Sequence, residues 1–238
     1  MSRFPERNKV PDFATFSSLL RVSTDYEMPN IRAQLLEAIR DAYPESFEGL
    51  DPSKTLGESV FGGPEPHPNA VLNLFVQQNV SSALPMAYYM TSRKGPDSLT
   101  DDRLSPNATL SGNTLRSAMR GLMALREMEL KETHRIVFAL KDATTRTGCS
   151  SAYCPSRISN GPLGAGNTEA HRRAFDRITG SGVEGTRILQ VLSASEFIGD
   201  MEPKFCRVCV EKVQIAHAEV RRKAWEALPV SFGLRAEA

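Results

Sequence analysis

"FATFSSLLRVSTDYEMPNIRAQLLEAIRDA", residues 13–42, decides the fold class. Phe13, Phe16 and Leu20, then Ile31, Leu35, Ala38 and Ala42, recur at three or four residues, which gathers each set on one face of a helix. "DYEMPN" joins the two helices. Pro29 suits the first turn of the second, where its missing amide hydrogen costs nothing. The same period continues to about residue 141, so a mainly α-helical fold is expected.

Beyond this pair, the glycine- and proline-rich residues 43–69 read as a loop with at most one short helix. "HPNAVLNLFVQQN" follows as a helix with Pro68 in its first turn and Leu72, Phe75, Val76 and Asn79 on one side. Ser82 is placed to cap "ALPMAYYM", in which Pro85 falls among the opening residues. "TSRKGPDSLTDDR" reads as a polar loop, and Ser105 with Pro106 behind it as a helix start. Leu115, Met119, Leu122, Leu125, Ile136, Val137 and Leu140 then support one long helix or two in series. The polar "REMELKETHR" between them is either a break or a solvated stretch.

Composition changes at residue 142. "TTRTGCSSAYCPSRISNGPLGAGNTEA" has few large apolar residues and cannot bury enough surface to order itself unaided. A helix, "HRRAFDRI", a glycine-rich turn and the short apolar "TRILQVL" lead to a closing helix. That helix aligns Cys206, Cys209, Val213, Ala216, Val220, Ala224 and Leu228 on one face.

The chain has 238 residues, 40% hydrophobic and 24% charged, enough to build a core without cross-links. Its formal charge of +1 gives no bulk attraction to a phosphate backbone or an anionic membrane. The opening "MSRFPERNKVPDF" lacks the apolar run of a signal peptide. No segment approaches the roughly 18 apolar residues of a membrane span, so an intracellular, soluble protein in cytoplasm or nucleus is expected.

The four cysteines fall as Cys149-x4-Cys154 and Cys206-x2-Cys209. In a reducing compartment they are thiols or metal ligands rather than structural disulfides. Tetrahedral zinc takes four thiolates at about 2.3 Å, which two short-spaced pairs can supply; four separately packed thiols are the alternative. A redox Cys-x-x-Cys would follow a strand in a thioredoxin-like unit, and none is visible. His217 lies two helical turns past Cys209, too far to share its metal, and reads with His67, His134 and His171 as a packing or surface residue.

"GSGVEG", residues 180–185, matches a dinucleotide fingerprint but follows a basic helix instead of a strand, and reads as a flexible turn. No Walker loop, paired carboxylates, His-Glu-x-x-His or serine elbow occurs, so neither catalytic nor cofactor-binding residues are assigned. Lys204, Arg207, Lys212, Arg221, Arg222 and Lys223 against Glu211 and Glu219 make six minus two, a local +4. This is a possible nucleic-acid contact, but a solvated helix face is the preferred reading.

Several ordered motifs resemble a family. Residues 13–51, with "LLRVSTDYEMPN" and a closing "YP", resemble the helical region after the BTB/POZ domain in BTB-domain proteins of mushroom-forming fungi. "ALPMAYYM" followed by "LS" is similar to that family's next element. The tail is similar too: Cys149, Cys154, Cys206, Cys209, His217, Arg221, Trp225, and then Leu228, Pro229, Phe232, Gly233 and Leu234. The resemblance spans about residues 10–234. It leaves no room in this sequence for the BTB fold itself, so a BTB-less relative or an incomplete gene model is expected, and the family's tryptophan-containing ending is absent after Leu234.

The resemblance implies a helical post-BTB (BACK-like) region over residues 10–144 packed with a small cysteine-bearing α-helical module over 145–234. It also favours one shared structural zinc on Cys149, Cys154, Cys206 and Cys209. The function expected is that of a non-catalytic intracellular adaptor with protein partners, neither a membrane protein nor an enzyme acting on a small-molecule substrate. The alternative is a zinc-stabilised nucleic-acid or chromatin-associated factor.

Overall fold

The computed structural model describes residues 11–40, 42–50, 61–101, 103–139, 185–189 and 206–234. Among them are seven α-helices, two 3-10 turns and no strand, which makes the fold mainly α as the periodicity predicts.

Helix α1 (Phe13–Asp25) starts where the Asp12 carboxylate accepts the Thr15 amide at 2.8 Å, and it buries Phe16, Leu20 and Ser23. Glu27 turns the chain at φ 50° into α2 (Pro29–Ile39), which has proline in its first turn. The inward residues of α2 are Leu35 and Ile39; Ala38 is exposed, and Ala42 lies past the helix end. Arg32 donates to the Thr24 hydroxyl at 2.6 Å and to the Gln78 carbonyl at 2.8 Å, fastening α2 to the end of α1 and of the next helix.

Helix α3 (Pro68–Gln77) begins at His67, whose Nδ1 accepts the Asn69 amide and whose Nε2 meets the Ser98 hydroxyl at 3.2 Å. Val71, Leu72, Leu74 and Phe75 are buried, whereas Val76 is exposed and Asn79 sits at φ 50° beyond the helix. The expected single face was therefore misplaced. Neighbours cover α3 on more than one side, so its apolar residues need not keep one stripe.

Helix α4 (Leu84–Ser92) is led in by a 3-10 turn over Ser81–Ala83 and has Pro85 in its opening, but no side chain caps it. Ser82 is exposed and Ala83 holds the cap position. The polar stretch beyond contains a helix the composition hides, α5 (Pro96–Thr100), entered through Gly95 at φ 83°. Leu99 is its buried anchor.

The long helix α6 (Gly112–Ala139) begins at Ser111, whose hydroxyl accepts the Thr114 amide at 3.3 Å; the expected start at Ser105 is a turn. It runs unbroken through "REMELKETHR". That stretch is made of strong helix formers, laced by Arg126–Glu129 and Glu132–Arg135 pairs at 2.8 Å. Its inward residues are Leu125, Glu129, Thr133 and Ile136. The face thus keeps helical spacing while changing from apolar to polar.

Helix α7 (Arg207–Ser231) lies against α6 and α4 and shares their hydrophobic core through Val210, Val213, Val220, Ala224 and Leu228. Phe232, just past its end, is fully buried, stacks on Tyr88 of α4 at 5.0 Å and rests against Gly121 of α6. Trp225 is half-buried and packs against the same core. The boundary expected near residue 144 and the helix expected in "HRRAFDRI" lie outside the described residues.

Candidate functional site

The middle of the bundle holds a strap, Gly185–Leu189, with Gly185, Thr186, Ile188 and Leu189 buried. Three helices each aim one polar side chain at its backbone. Tyr89 of α4, fully buried, accepts the Leu189 amide on its hydroxyl at 3.2 Å. Arg221 of α7, 8% exposed, donates from Nε to the Leu189 carbonyl at 2.8 Å. Glu129 of α6, 2% exposed, accepts the Arg187 amide on Oε1 at 2.9 Å, while its Oε2 pairs with Arg126 at 2.8 Å. These bonds satisfy strap groups that burial cuts off from water.

The fit extends to the backbone of α4. A Cβ on Gly185 would overlap the Ser92 carbonyl and the backbone of Arg93, so this position requires glycine by close approach. The "GSGVEG" match therefore ends on a packed glycine, not on a flexible turn; residues 180–184 lie outside the described residues.

Burial sets the electrostatics. It pushes the Glu129 carboxyl up, partly offset by Arg126 and by the amide of Arg187. It also raises the Tyr89 phenol well above its ordinary value, which keeps the hydroxyl neutral. His217, 5% exposed on the inner side of α7, is pushed down to about 4, by burial first and by nearby Arg221 second. It is thus a neutral core imidazole. Chemically, this cluster clamps a peptide: Tyr89, Glu129 and Arg221 each spend one bond on a main-chain group of the strap.

Of the expected zinc ligands, Cys149 and Cys154 lie outside the described residues. Cys206 holds the position just before α7, half-buried against the core, and Cys209 falls in the first turn of the helix. In sequence that is the spacing of a metal half-site. His134 is exposed, His67 caps α3, and His171 lies outside the described residues.

The basic stretch on α7 is partly consumed within the protein. Arg221 is the strap donor, Arg222 pairs with Glu48 at 3.0 Å and stands 4.7 Å above the Phe47 ring, and Arg207 pairs with Glu211. The +4 counted along the sequence does not form a face of free cations, because one of its members points inward and others have acidic partners.

A second feature lies on the surface. An open groove of about 830 Å³ runs between α1 and α3 under the 104–111 segment. Asn73 on its wall donates to the carbonyls of Asn107 and Thr109 at 2.9 and 2.8 Å, holding that segment over the groove. Neither feature was found from sequence. The buried acid at an inward helical position, Glu129, was the available signal for the clamp. No local pattern marks the groove, which needs three separate segments brought together.

No family model, no curated protein and no solved structure matches the chain.

Proposed function

We propose that the chain is a non-catalytic protein-interaction or adaptor protein, a relative of the BTB-domain proteins its motifs resemble, working inside the cell. The observation that supports this reading is the clamp itself. Tyr89, Glu129 and Arg221 are buried polar groups of the kind that enzymes aim into a cleft, and here each is aimed at the backbone of Gly185–Leu189. Such an arrangement builds a rigid scaffold around a held segment.

A structural zinc on Cys149, Cys154, Cys206 and Cys209 belongs to the same proposal. It would tie the start of α7 to the region around residue 150. Metal analysis of the purified protein tests it. Stoichiometric zinc lost in each Cys→Ser variant supports the site, and a metal-free wild type removes it.

The adaptor reading is tested by purifying the tagged full chain from cells and quantifying what co-purifies in stoichiometric amounts. Reproducible partners retained through purification are expected. A robust turnover activity in the purified protein, lost on a conservative change in one cluster, would overturn it.

A further inference from the structure

The groove between α1 and α3 has a chemistry that narrows what can fill it. Its floor is apolar, with Phe13, Leu74 and Leu110. Its walls carry side-chain hydroxyls and amides such as Ser17 and Gln77, which can donate to or accept from the peptide groups of an extended segment. Among the described residues lining it, Arg21 is the one ionisable side chain and none is a carboxylate. Arg21 is exposed, and among the described residues its guanidinium makes one bond, a 3.5 Å contact to the neutral Gln77 amide oxygen. A planar donor fork beside an apolar floor, with no acid among the described residues to satisfy it, complements a carboxylate flanked by apolar side chains. The volume, about 830 Å³, is of the size that holds a ligand or a short peptide segment.

We propose that this groove is a docking site for a partner peptide segment that carries an acidic side chain between apolar residues, with Arg21 as the carboxylate receptor. This rests on the adaptor reading and names the class of partner.

The test uses the full chain and short fluorescent peptides in a serine-glycine background, with a central Leu-Asp-Asp-Leu core or the same core with Asn or Lys in place of Asp. Fluorescence anisotropy is expected to show binding of the Asp peptide, weakened by salt and by about tenfold or more in Arg21→Glu. The Asn and Lys peptides should bind correspondingly worse. Arg21→Gln, which removes charge without reversing it, should fall between. Equal binding of the Asp and Lys peptides, equal binding by Arg21→Glu, or no binding of any peptide would overturn the proposal. Circular dichroism of both variants establishes that they are folded, as expected for changes at an exposed position. If partners from cells co-purify equally with wild type and Arg21→Glu, this site falls while the adaptor reading stands. If neither co-purifies any partner and the Asp peptide still binds through Arg21, the site stands and the adaptor reading falls.

Discussion

Arg221, on the closing helix, gives its Nε hydrogen to the carbonyl of Leu189, and the amide hydrogen of Leu189 goes to the Tyr89 hydroxyl. One residue, Leu189, is thus held from two helices at once, its carbonyl by α7 and its amide by α4. The bond from Arg221 is charge-assisted and buried, so its loss leaves an unpaired carbonyl in the core.

Arg221→Met keeps much of the side-chain volume and removes the donor. It is expected to destabilise the protein by about 1–3 kcal/mol, read as a lower urea midpoint with an unchanged slope. Arg221→Lys should recover only part of this, because an ammonium does not reproduce the guanidinium geometry. An Arg221→Met midpoint equal to wild type would show that the bond contributes nothing.

His217 makes stability depend on pH in the acid range. Its folded pKa of about 4 lies below the ordinary value of 6.5, so the unfolded chain binds its proton first on acidification. Its contribution is complete above about pH 6.5 and is lost as pH falls toward 4, on the order of 3 kcal/mol across that window. Urea unfolding of wild type and His217→Leu over this range checks it. The difference between them should shift toward the variant as pH falls.

Glu129 acts in the opposite sense. Its folded pKa is raised above 4.5, so the folded state holds that proton more tightly than the unfolded chain. The stability from this linkage is fully present below pH 4.5 and is lost as pH rises through the raised value. Glu129→Gln keeps an acceptor for the Arg187 amide but does not titrate. Relative to this variant, wild type should therefore lose ground as pH rises through that window. A pH-independent difference between the two would contradict the assignment.

Gly121 and Phe232 make a fourth case. Alanine is the better helix former by about 1 kcal/mol, so Gly121→Ala would stabilise an open helix. Here the added methyl would overlap the Phe232 ring, and the variant is expected to lose about 1–3 kcal/mol instead. Combining it with Phe232→Leu should cost less than the sum of the two single changes, because the smaller side chain makes room. Thermal unfolding of the three variants measures the coupling. Strict additivity would rule out the contact.

Helix α1 was legible in the sequence because Phe16 and Leu20 keep one apolar stripe; on α2 Leu35 was placed inward but Ile39 was not, and on α7 the apolar residues of the inner face were legible but the buried His217 and Arg221 were not. The readings failed where a residue's surroundings come from far along the chain. "REMELKETHR" left a break and a solvated stretch both open because its inward Glu129 and Thr133 are polar, and what Glu129 meets is a strap from residues 185–189. Ser105 looked like a cap by composition, yet the helix begins at Ser111, six residues on. Arg221 counted as surface charge in the sequence and turned out to be a core donor. Local spacing carries the helical period, but not which helix face will meet a distant segment.

The strap also fixes an order of events. Leu189 pairs with Tyr89 across a sequence separation of 100 residues, and with Arg221 across 32 residues. On the ribosome, α4 and α6 emerge well before α7, and contacts this distant close slowly because the intervening loop must first lose its freedom. The clamp cannot close until α7 has been synthesised. Until then the Leu189 carbonyl lacks its Arg221 donor, so the strap's bonds cannot all be made before the closing helix is, the interval in which chaperone binding or misassembly competes with folding.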